Sequence, residues 1–577
     1  MKTIDSWRDQ LLRAVADAGL LGRPRRVRLA GGELALEGTL TIAGRTVTVA
    51  LVVDPLFENK LPAVLLQPWD ALGFIPHIDP AGVICYIDLE GMLLDQRRQL
   101  QLVRDCIAHV QRTLHAGVTG ANRADFANEF EAYWSYLKSP LLAISSLDLT
   151  DEVSEVVIAT SPTPGAPLRL AGDARGIMHV ADRPPSGPWT TQRAVYVPLE
   201  PNTLLVPPRP DRPFWTLEDS RALLAHCSEP DRARLASIVA GPARNPEYLV
   251  IGLTRPAGGR ALFGVRFNGV GARHPLAEGG SAAQLTPISI QRRDRSFLVQ
   301  RGGGHMELES KRVLLLGCGS VGGHLAFAFA RAGIGALTLV DHDIFTAENT
   351  YRHVLGKPYW GKLKARAMQQ APTAQLPFIK VRAIPATIEA ALEQDLIALN
   401  DFDLVVSALG NPTSELALSE RTRRNTGPPI IFTWLEPLGI GGHAVLSGQR
   451  GGPGCFACLY TRPDGSGGPL HNRAAFGEEN QKYGRSIAGC SNLYTPYGAL
   501  DATRTAELAA RLAIDTLIGR EQRNVLRSWE GDTTAFTEAG FQLSGRERFT
   551  EEELSRQAAS YASPRCPVCG DQAGSSS

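Results

Sequence analysis

The chain has 577 residues, with 60 Lys and Arg against 59 Asp and Glu and a formal net charge of +1. This length is too great for one hydrophobic core and indicates about two to four domains. The neutral balance leaves no basic excess to attract nucleic acid or a membrane surface, and no apolar run reaches the about 18 residues that span a bilayer. With no signal peptide in view, we expect a cytoplasmic protein that binds neither nucleic acid nor membrane.

Residues 1–150 are predicted to form an α+β domain. An amphipathic helix opens the chain, and strand-like runs separated by Gly turns follow, as is typical of an antiparallel meander. The stretch "FIPHIDPAGVICYID" then places His77 in a turn and Cys85 at the end of a strand-like run. A helical run closed by Gly117 and a second helix over 123–139 complete the segment. Cys85 is either a packed core cysteine or a thiol that carries an acyl group.

Residues 151–300 are predicted to form a connecting domain of unknown role. Pro-rich stretches alternate there with a helical run, and "EYLVIGLTRPAGGRALFGVRFNG" is typical of a hairpin. Cys227 in this segment and Cys106 in the first lie on amphipathic helical runs, so we expect both to be core residues.

Residues 301–577 open with a βαβ pattern, which predicts a Rossmann-like α/β domain. Gly317, Gly319 and Gly322 form a GxGxxG turn between strand and helix, where backbone N–H groups bind phosphate. Asp341 follows the second strand and is placed to accept hydrogen bonds from a ribose. These residues alone fit an NAD enzyme and an ATP enzyme equally.

A run of polar residues after the second strand favours ATP. Asp343, Asn349, Arg352 and Lys364 follow Asp341 closely, and hydride transfer does not need so many phosphate ligands. Nucleotidyl transfer does, because Arg and Lys neutralise the charge that builds on the phosphates. The alternative is a solvated charged loop.

Two Cys-x-x-Cys pairs, Cys455 with Cys458 and Cys566 with Cys569, predict a tetrahedral structural zinc site. A redox dithiol is the alternative, but it needs only one pair. Cys490 lies between the pairs, before a long helical run. A thiol near a helix start on an exposed loop is a candidate nucleophile, and a buried loop cysteine is the alternative.

The third segment resembles the adenylation domain of ubiquitin-activating enzymes and their bacterial ThiF/MoeB relatives. The shared motifs are "GCGSVG", "DHD", Asn349, Arg352 and "GKLK". The resemblance implies that Asp341 holds the ribose, that Asn349, Arg352 and Lys364 hold phosphates, and that Cys490 takes the activated carboxylate from AMP. It also implies a homodimer and agrees with the zinc site.

One position departs from that family. Gly410-Asn411 stands where the family has an Asp-Asn pair that carries the magnesium ligand. Magnesium often needs only one or two protein carboxylates, so we expect Asp343 or a water shell to take that place.

"IPHIDPAGVICYID" resembles the active-site stretch of ubiquitin-conjugating enzymes, in which seven residues with a Gly separate His-Pro-Asn from the catalytic Cys. Here the same spacing separates Ile75-Pro76-His77 from Cys85, and His77 stands where the family uses Asn to stabilise an oxyanion. A conjugating-like domain followed by an activating-like domain resembles the fusion enzymes of bacterial anti-phage CBASS operons. Those enzymes ligate the C-terminus of a cGAS-like nucleotidyltransferase to targets.

The resemblance implies a relay that uses ATP, magnesium and zinc. The C-terminal carboxylate of a protein carrier, a cGAS-like nucleotidyltransferase or a ubiquitin-like protein, would be adenylated and passed to Cys490, then to Cys85 and then to an amine acceptor. The alternatives are a sulfur-carrier-activating adenylyltransferase, an NAD-dependent oxidoreductase and a non-catalytic scaffold.

Overall fold

The computed structural model describes residues 4–29, 33–53, 60–87, 95–138, 140–179, 189–424, 427–449, 452–462, 472–486, 493–559 and 561–570. The chain divides into two compact units, Met1–Asp294 and Arg295–Ser577. The finer division into three domains that the sequence suggests stays a prediction. Among the described residues, no helix combines the length and the apolar character needed to cross a membrane.

The first unit begins with an antiparallel sheet covered by helices. Its elements are α1 (Ile4–Asp17), β1 (Gly22–Arg28), β2 (Leu34–Ile42), β3 (Arg45–Val52), β4 (Ala63–Gln67), α2 (Gln99–Thr119), α3 (Asp125–Asn128) and α4 (Phe130–Ser135). The strands pair in sequence order and all antiparallel, which confirms the predicted meander. Apolar residues of α1, α2 and alternate positions of the strands form one buried core.

Two helix predictions in this region are wrong. Helix α2 runs through Gly117 and ends at Gly120, whose φ of 79° closes it in the left-handed conformation. Gly117 is required for packing instead, because a Cβ there would lie 2.7 Å from Ile75 Cδ1. The single helix predicted over 123–139 is broken at Glu129 into α3 and α4.

The rest of the first unit is a closed seven-stranded barrel. Its elements are β5 (Leu141–Ser145), β6 (Ser154–Thr160), β7 (Leu168–Ala171), α5 (Gly176–His179), β8 (Thr190–Pro198), α6 (Leu217–Ala222), α7 (Glu229–Val239), β9 (Glu247–Thr254), β10 (Arg260–Val270) and β11 (Ala282–Arg292). The order is β10-β11-β5-β7-β6-β8-β9. The antiparallel pairing of β9 with β10 confirms the predicted hairpin. The barrel takes its first strand from within the segment predicted as residues 1–150.

The second unit is a doubly wound α/β domain. Its elements are α8 (Arg295–Arg301), β12 (Arg312–Leu316), α9 (Ser320–Ala332), β13 (Ala336–Val340), α10 (Lys364–Gln375), β14 (Lys380–Ile384), α11 (Ile388–Glu393), β15 (Leu404–Ser407), α12 (Pro412–Arg424), β16 (Ile430–Leu435), β17 (Gly441–Ser447), β18 (Arg485–Ser486), β19 (Leu493–Tyr494), α13 (Ala499–Leu517), β20 (Leu526–Glu530), α14 (Thr534–Glu538) and α15 (Glu551–Arg556).

Its main sheet has the order β14-β13-β12-β15-β16-β17-β20. The first five strands are parallel and the last two pair antiparallel, which confirms the predicted Rossmann-like class. Val313 and Leu315 of β12 enter the core on one face, and Leu314 and Leu316 enter the core on the other. The strand order reverses between β12 and β15, so a crevice for a ligand is expected at their carboxyl ends.

Candidate active sites

The glycine turn connects β12 to α9 at that crevice. Gly317 has a φ of 88°, and a Cβ on it would lie 2.7 Å from Ala408 O. Only glycine therefore lets the turn pass between the two strands before α9 begins at Ser320. The N-terminus of α9 consequently faces the crevice with free backbone N–H groups.

A cavity of about 530 Å³ opens beside this turn. It is lined by most of the residues predicted to bind nucleotide, namely Gly317, Gly319, Asp341, Asp343, Asn349, Arg352 and Lys364. Gly322 is not among its lining residues; it lies in the first turn of α9. The fold therefore brings together, in one cavity, predicted residues that come from four separate segments.

Asp341 is a rigid carboxylate at the end of β13. It is 9% exposed, its Oδ2 accepts the Cys318 N–H at 2.6 Å and its Oδ1 accepts the Asp343 N–H at 2.7 Å. Burial raises the pKa of Asp341, and these two hydrogen bonds act in the opposite direction. The carboxylate is thus fixed against the glycine turn, where its remaining lone pairs can accept hydroxyl hydrogens.

The two predicted phosphate cations are also held in place. Lys364 Nζ lies 2.8 Å from Asp343 Oδ2, and Arg352 stacks over the Tyr497 ring at 5.1 Å. Asn349 Oδ1 accepts the Thr346 N–H at 3.2 Å, which orients the amide nitrogen away from that bond. Two basic side chains therefore line a cavity that opens at a helix N-terminus.

His353 is a supporting residue that the sequence did not reveal. Its Nδ1 accepts the Leu355 N–H at 3.0 Å, so the proton sits on Nε2, which lies 2.8 Å from Cys318 O. Burial lowers the pKa of His353 to about 4, and the ring is neutral at physiological pH. It therefore supports the glycine turn through its contact with Cys318 O. In the sequence, only its position beside Arg352 pointed to this role.

Gly410, the position where the related family carries its magnesium ligand, has free space around it. Gly410 has a φ of 63°, and a side chain there would meet nothing within 4 Å. The described carboxylates at the cavity are Asp341, Asp343 and Glu389, and Glu389 accepts a hydrogen bond from Ser414 Oγ at 2.7 Å. Asp341, His342 and Asp343 bring ligand atoms close enough to share one ion. Asp343 is half exposed and fits a hydrated cation that needs one protein carboxylate.

The four paired cysteines converge. Cys455 Sγ lies 3.6 Å from Cys566 Sγ, and Cys458 Sγ lies 3.2 Å from Cys569 Sγ. These separations are too long for disulfides and suit thiolates around one ion. The cluster is mostly buried and fits a closed, four-ligand metal site.

Cys85 is exposed in a second cleft of about 750 Å³. This exposure excludes the core-packing alternative for Cys85, whereas Cys106 and Cys227 are buried as predicted. The turn places His77 beside it: His77 has a φ of 67°, and its carbonyl accepts the Cys85 N–H at 2.8 Å. The cleft therefore offers a thiol that a second molecule can reach.

Two carboxylates face the His77 ring. Nε2 lies 2.9 Å from Asp125 Oδ2, and Nδ1 lies 3.0 Å from Glu129 Oε1. Contact with the Cys85 side chain, then with Glu129 and Asp125, raises the pKa of His77 to about 10, although burial acts to lower it. The ring is thus an imidazolium at neutral pH. Sequence reasoning missed both acids, because they lie a full helix away along the chain.

Cys490, the second predicted nucleophile, lies outside the described residues. The strands β18 and β19 pair on either side of it, Arg485 with Tyr494 and Ser486 with Leu493. Helix α13 begins soon after, at Ala499, as the sequence predicts.

Comparison with known proteins matches a family model to each of two segments of the chain. The model of the ThiF family matches residues 293–537, and the model of Prokaryotic E2 family B matches residues 27–142. The ATP-dependent ubiquitin transferase-like protein Cap2 of Pseudomonas aeruginosa is 26% identical over 507 residues, covering 85% of this chain and 89% of that protein. Cap2 of Escherichia coli is 23% identical over 592 residues, covering 92% of each. The adenylyltransferase and sulfurtransferase MOCS3 of Mus musculus is 30% identical over 184 residues, covering 31% of this chain and 39% of that protein.

The chain is a fusion of an E2-like domain with a ThiF-type adenylation domain, which confirms the resemblance stated from the sequence. It is similar over most of its length to the Cap2 proteins. By class it is an ATP-dependent adenylyltransferase and ubiquitin-like transferase, and ATP, not NAD, is its nucleotide.

Proposed function

We propose that the chain activates the C-terminal carboxylate of a protein carrier, holds it on Cys490, passes it to Cys85 and ligates it to an amine. A cGAS-like nucleotidyltransferase or a ubiquitin-like protein is the carrier, and the setting is anti-phage defence of the CBASS type in the cytoplasm. The observation that carries the proposal is the exposure of the Cys85 thiol beside His77, in a chain whose other unit forms the nucleotide cavity.

In the adenylation step, a carboxylate oxygen of the carrier attacks the α-phosphorus, and the bond to pyrophosphate breaks. Asp341 orients the ribose through its fixed oxygens, and Asn349, Arg352 and Lys364 bind the phosphates. Magnesium, held by Asp343, would neutralise phosphate charge when bound. Lys364 Nζ lies 2.8 Å from Asp343 Oδ2, so Lys364 would be free to bind the phosphates once Asp343 holds a cation.

Two transfers of the acyl group to a cysteine sulfur follow. The Cys490 thiolate attacks the acyl carbon and AMP leaves; the Cys85 thiolate then attacks the Cys490 thioester and the Cys490 thiolate leaves. Finally the amine of the acceptor attacks the acyl carbon and gives up a proton to water, and Cys85 leaves as thiolate. His77 is positively charged beside the sulfur. It stabilises the oxyanion of each tetrahedral intermediate at Cys85 by its charge and by exchanging one N–H from a carboxylate to the oxyanion.

We also propose a homodimer, with a structural zinc ion in the cysteine cluster and domain boundaries near residues 150 and 300. Two large side chains, Tyr351 and Leu500, are 95% and 84% exposed in the second unit, as a surface that meets a second copy would be. Light scattering of the full chain is expected to give twice the 62.2 kDa chain mass; a monomer mass contradicts this proposal.

The zinc site gives a direct prediction. Metal analysis is expected to find one zinc per chain, and Cys566→Ser is expected to lose it, because three thiolates leave the tetrahedral shell incomplete. Unfolding temperature should fall by about 5–10 °C, since binding free energy at such a site is folding free energy. Cys227→Ala, at a buried cysteine of the barrel, is the control and should keep the zinc. Zinc-free protein with an unchanged unfolding temperature would contradict the assignment.

Exchange of labelled pyrophosphate into ATP tests the activation step. We expect exchange only with a carrier whose C-terminal tail is intact, and no exchange when the tail is trimmed by a few residues. Exchange that does not depend on the tail would overturn the proposal. The similarity to MOCS3 favours sulfur-carrier activation as the second candidate; that function requires the same exchange but leaves Cys85 without a role.

A further inference from the structure

The barrel, for which the sequence suggested no chemistry, contacts the helices that carry the two acids at the Cys85 cleft. Helix α4 packs on it through Phe130, whose ring lies 4.4 Å from that of Phe263, and through Trp134, whose Nε1 donates to Ile288 O at 3.0 Å. All four residues are buried, so this is a packed core and not a surface contact.

Polar contacts fix the same helices from the β9–β10 hairpin. Glu131 Oε1 accepts the Leu262 N–H at 2.8 Å, and its Oε2 pairs with Arg255. Asn128 Oδ1 accepts the Ala257 N–H at 2.9 Å. These contacts therefore hold the break between α3 and α4 against the barrel.

Asn128 continues this chain of bonds into the cleft. Its Nδ2 donates to Asp125 Oδ1 at 3.2 Å, and the other oxygen of that carboxylate faces His77 Nε2 at 2.9 Å. Glu129, on the same break, faces Nδ1, and the Tyr133 hydroxyl accepts the His77 N–H at 2.6 Å. The His77 ring is thus hydrogen-bonded through Nε2 and within ion-pair distance of a carboxylate at Nδ1, and its backbone N–H is held at a third point.

We propose that the barrel is a working part of the Cys85 site: through Asn128 and Glu131 it positions Asp125 and Glu129, which hold the His77 ring beside the Cys85 sulfur. Asn128 and Glu131 are positioning residues, since neither reaches the sulfur. Within the described part of the chain, the titratable and charged groups around His77 are Cys85, Tyr86, Arg112, Asp125, Glu129 and Tyr133. Of these, Asp125 and Glu129 are the anions that pair with the ring.

The inference rests on the proposed role of Cys85, but its test reads His77 itself and needs no carrier. The rate of deuterium exchange at the histidine C2 position, followed by mass spectrometry of the full chain across pH, reports the protonation of each ring. The exchange rate of His77 is expected to keep rising through pH 9 in the wild type, since its pKa is raised to about 10. For the double variant Asp125→Asn with Glu129→Gln we expect a midpoint near the ordinary value of about 6.5.

Variants of the two positioning residues, Asn128 and Glu131, test the role of the barrel. Asn128→Ala removes the bond to Asp125, and Glu131→Ala removes the second anchor while leaving Asn128 in place; each should lower the His77 midpoint by about one pH unit. Asn268→Ala is the control, because its side chain bonds Thr286 and lies toward the opposite end of β10 from Leu262. If Asn128→Ala and Glu131→Ala both melt cooperatively and keep the wild-type profile, the barrel has no part in the site. If the double variant Asp125→Asn with Glu129→Gln also keeps the wild-type exchange profile, the two acids do not hold the His77 ring.

Discussion

Cys85→Ala is expected to lower ligation of the carrier to an amine by about a thousandfold or more, because the variant lacks the atom that forms the last thioester. The ATP-dependent thioester on Cys490 should form as in the wild type, since no residue of the nucleotide cavity changes. Both quantities are read on one gel, with a carrier that supports thioester formation on the wild-type chain. The reducible adduct remains and the reduction-resistant product disappears.

Cys106→Ala is the matched control for this variant. Cys106 lies in the same E2-like domain, on α2, but is 3% exposed and faces the core. Its loss should cost some stability and leave ligation intact. Ligation by Cys85→Ala at the wild-type rate would show that Cys490 discharges directly to the acceptor, as in a sulfur-carrier activator.

Asp341→Asn is expected to weaken ATP binding by about 10- to 100-fold, because a hydrogen bond to a charged acceptor contributes about 1.5–3 kcal/mol. An amide has one acceptor atom where the carboxylate has two, so it cannot accept both the Cys318 and the Asp343 N–H and still bind the ribose. Titration calorimetry with ATP and magnesium measures the loss without a carrier.

Asp403→Asn is the control for that experiment. Asp403 Oδ2 accepts the Arg312 N–H at 2.7 Å, so it makes the same kind of bond to the same strand, β12, at the opposite end. The control should bind ATP like the wild type. Equal binding by Asp341→Asn and the wild type would remove Asp341 from the nucleotide site.

The parts that the sequence predicted correctly depend on local patterns. The glycine turn, the acid after β13 and the hairpin β9–β10 each follow from residues close together in the chain. The cysteine cluster joins distant pairs, but each pair has its own spacing signal. These features need no knowledge of the tertiary structure.

The parts that it missed depend on distant contacts. A glycine such as Gly117 is typical of a helix end, but here a glycine is needed because Ile75 packs against it. The barrel closes through pairings such as Leu141 with Ile288, which no short window reveals. Asp125 and Glu129 look like ordinary surface acids until α3 and α4 bring them to His77.

Intact-protein mass spectrometry after mixing the chain with ATP and a candidate carrier measures the relay most directly. We expect an ATP-dependent adduct of the carrier mass less one water, cleaved by thiol, and mapped to Cys490 and to Cys85. In Cys490→Ala neither cysteine should carry it. An adduct that forms without ATP, or one that maps to neither of these two cysteines, would contradict the account.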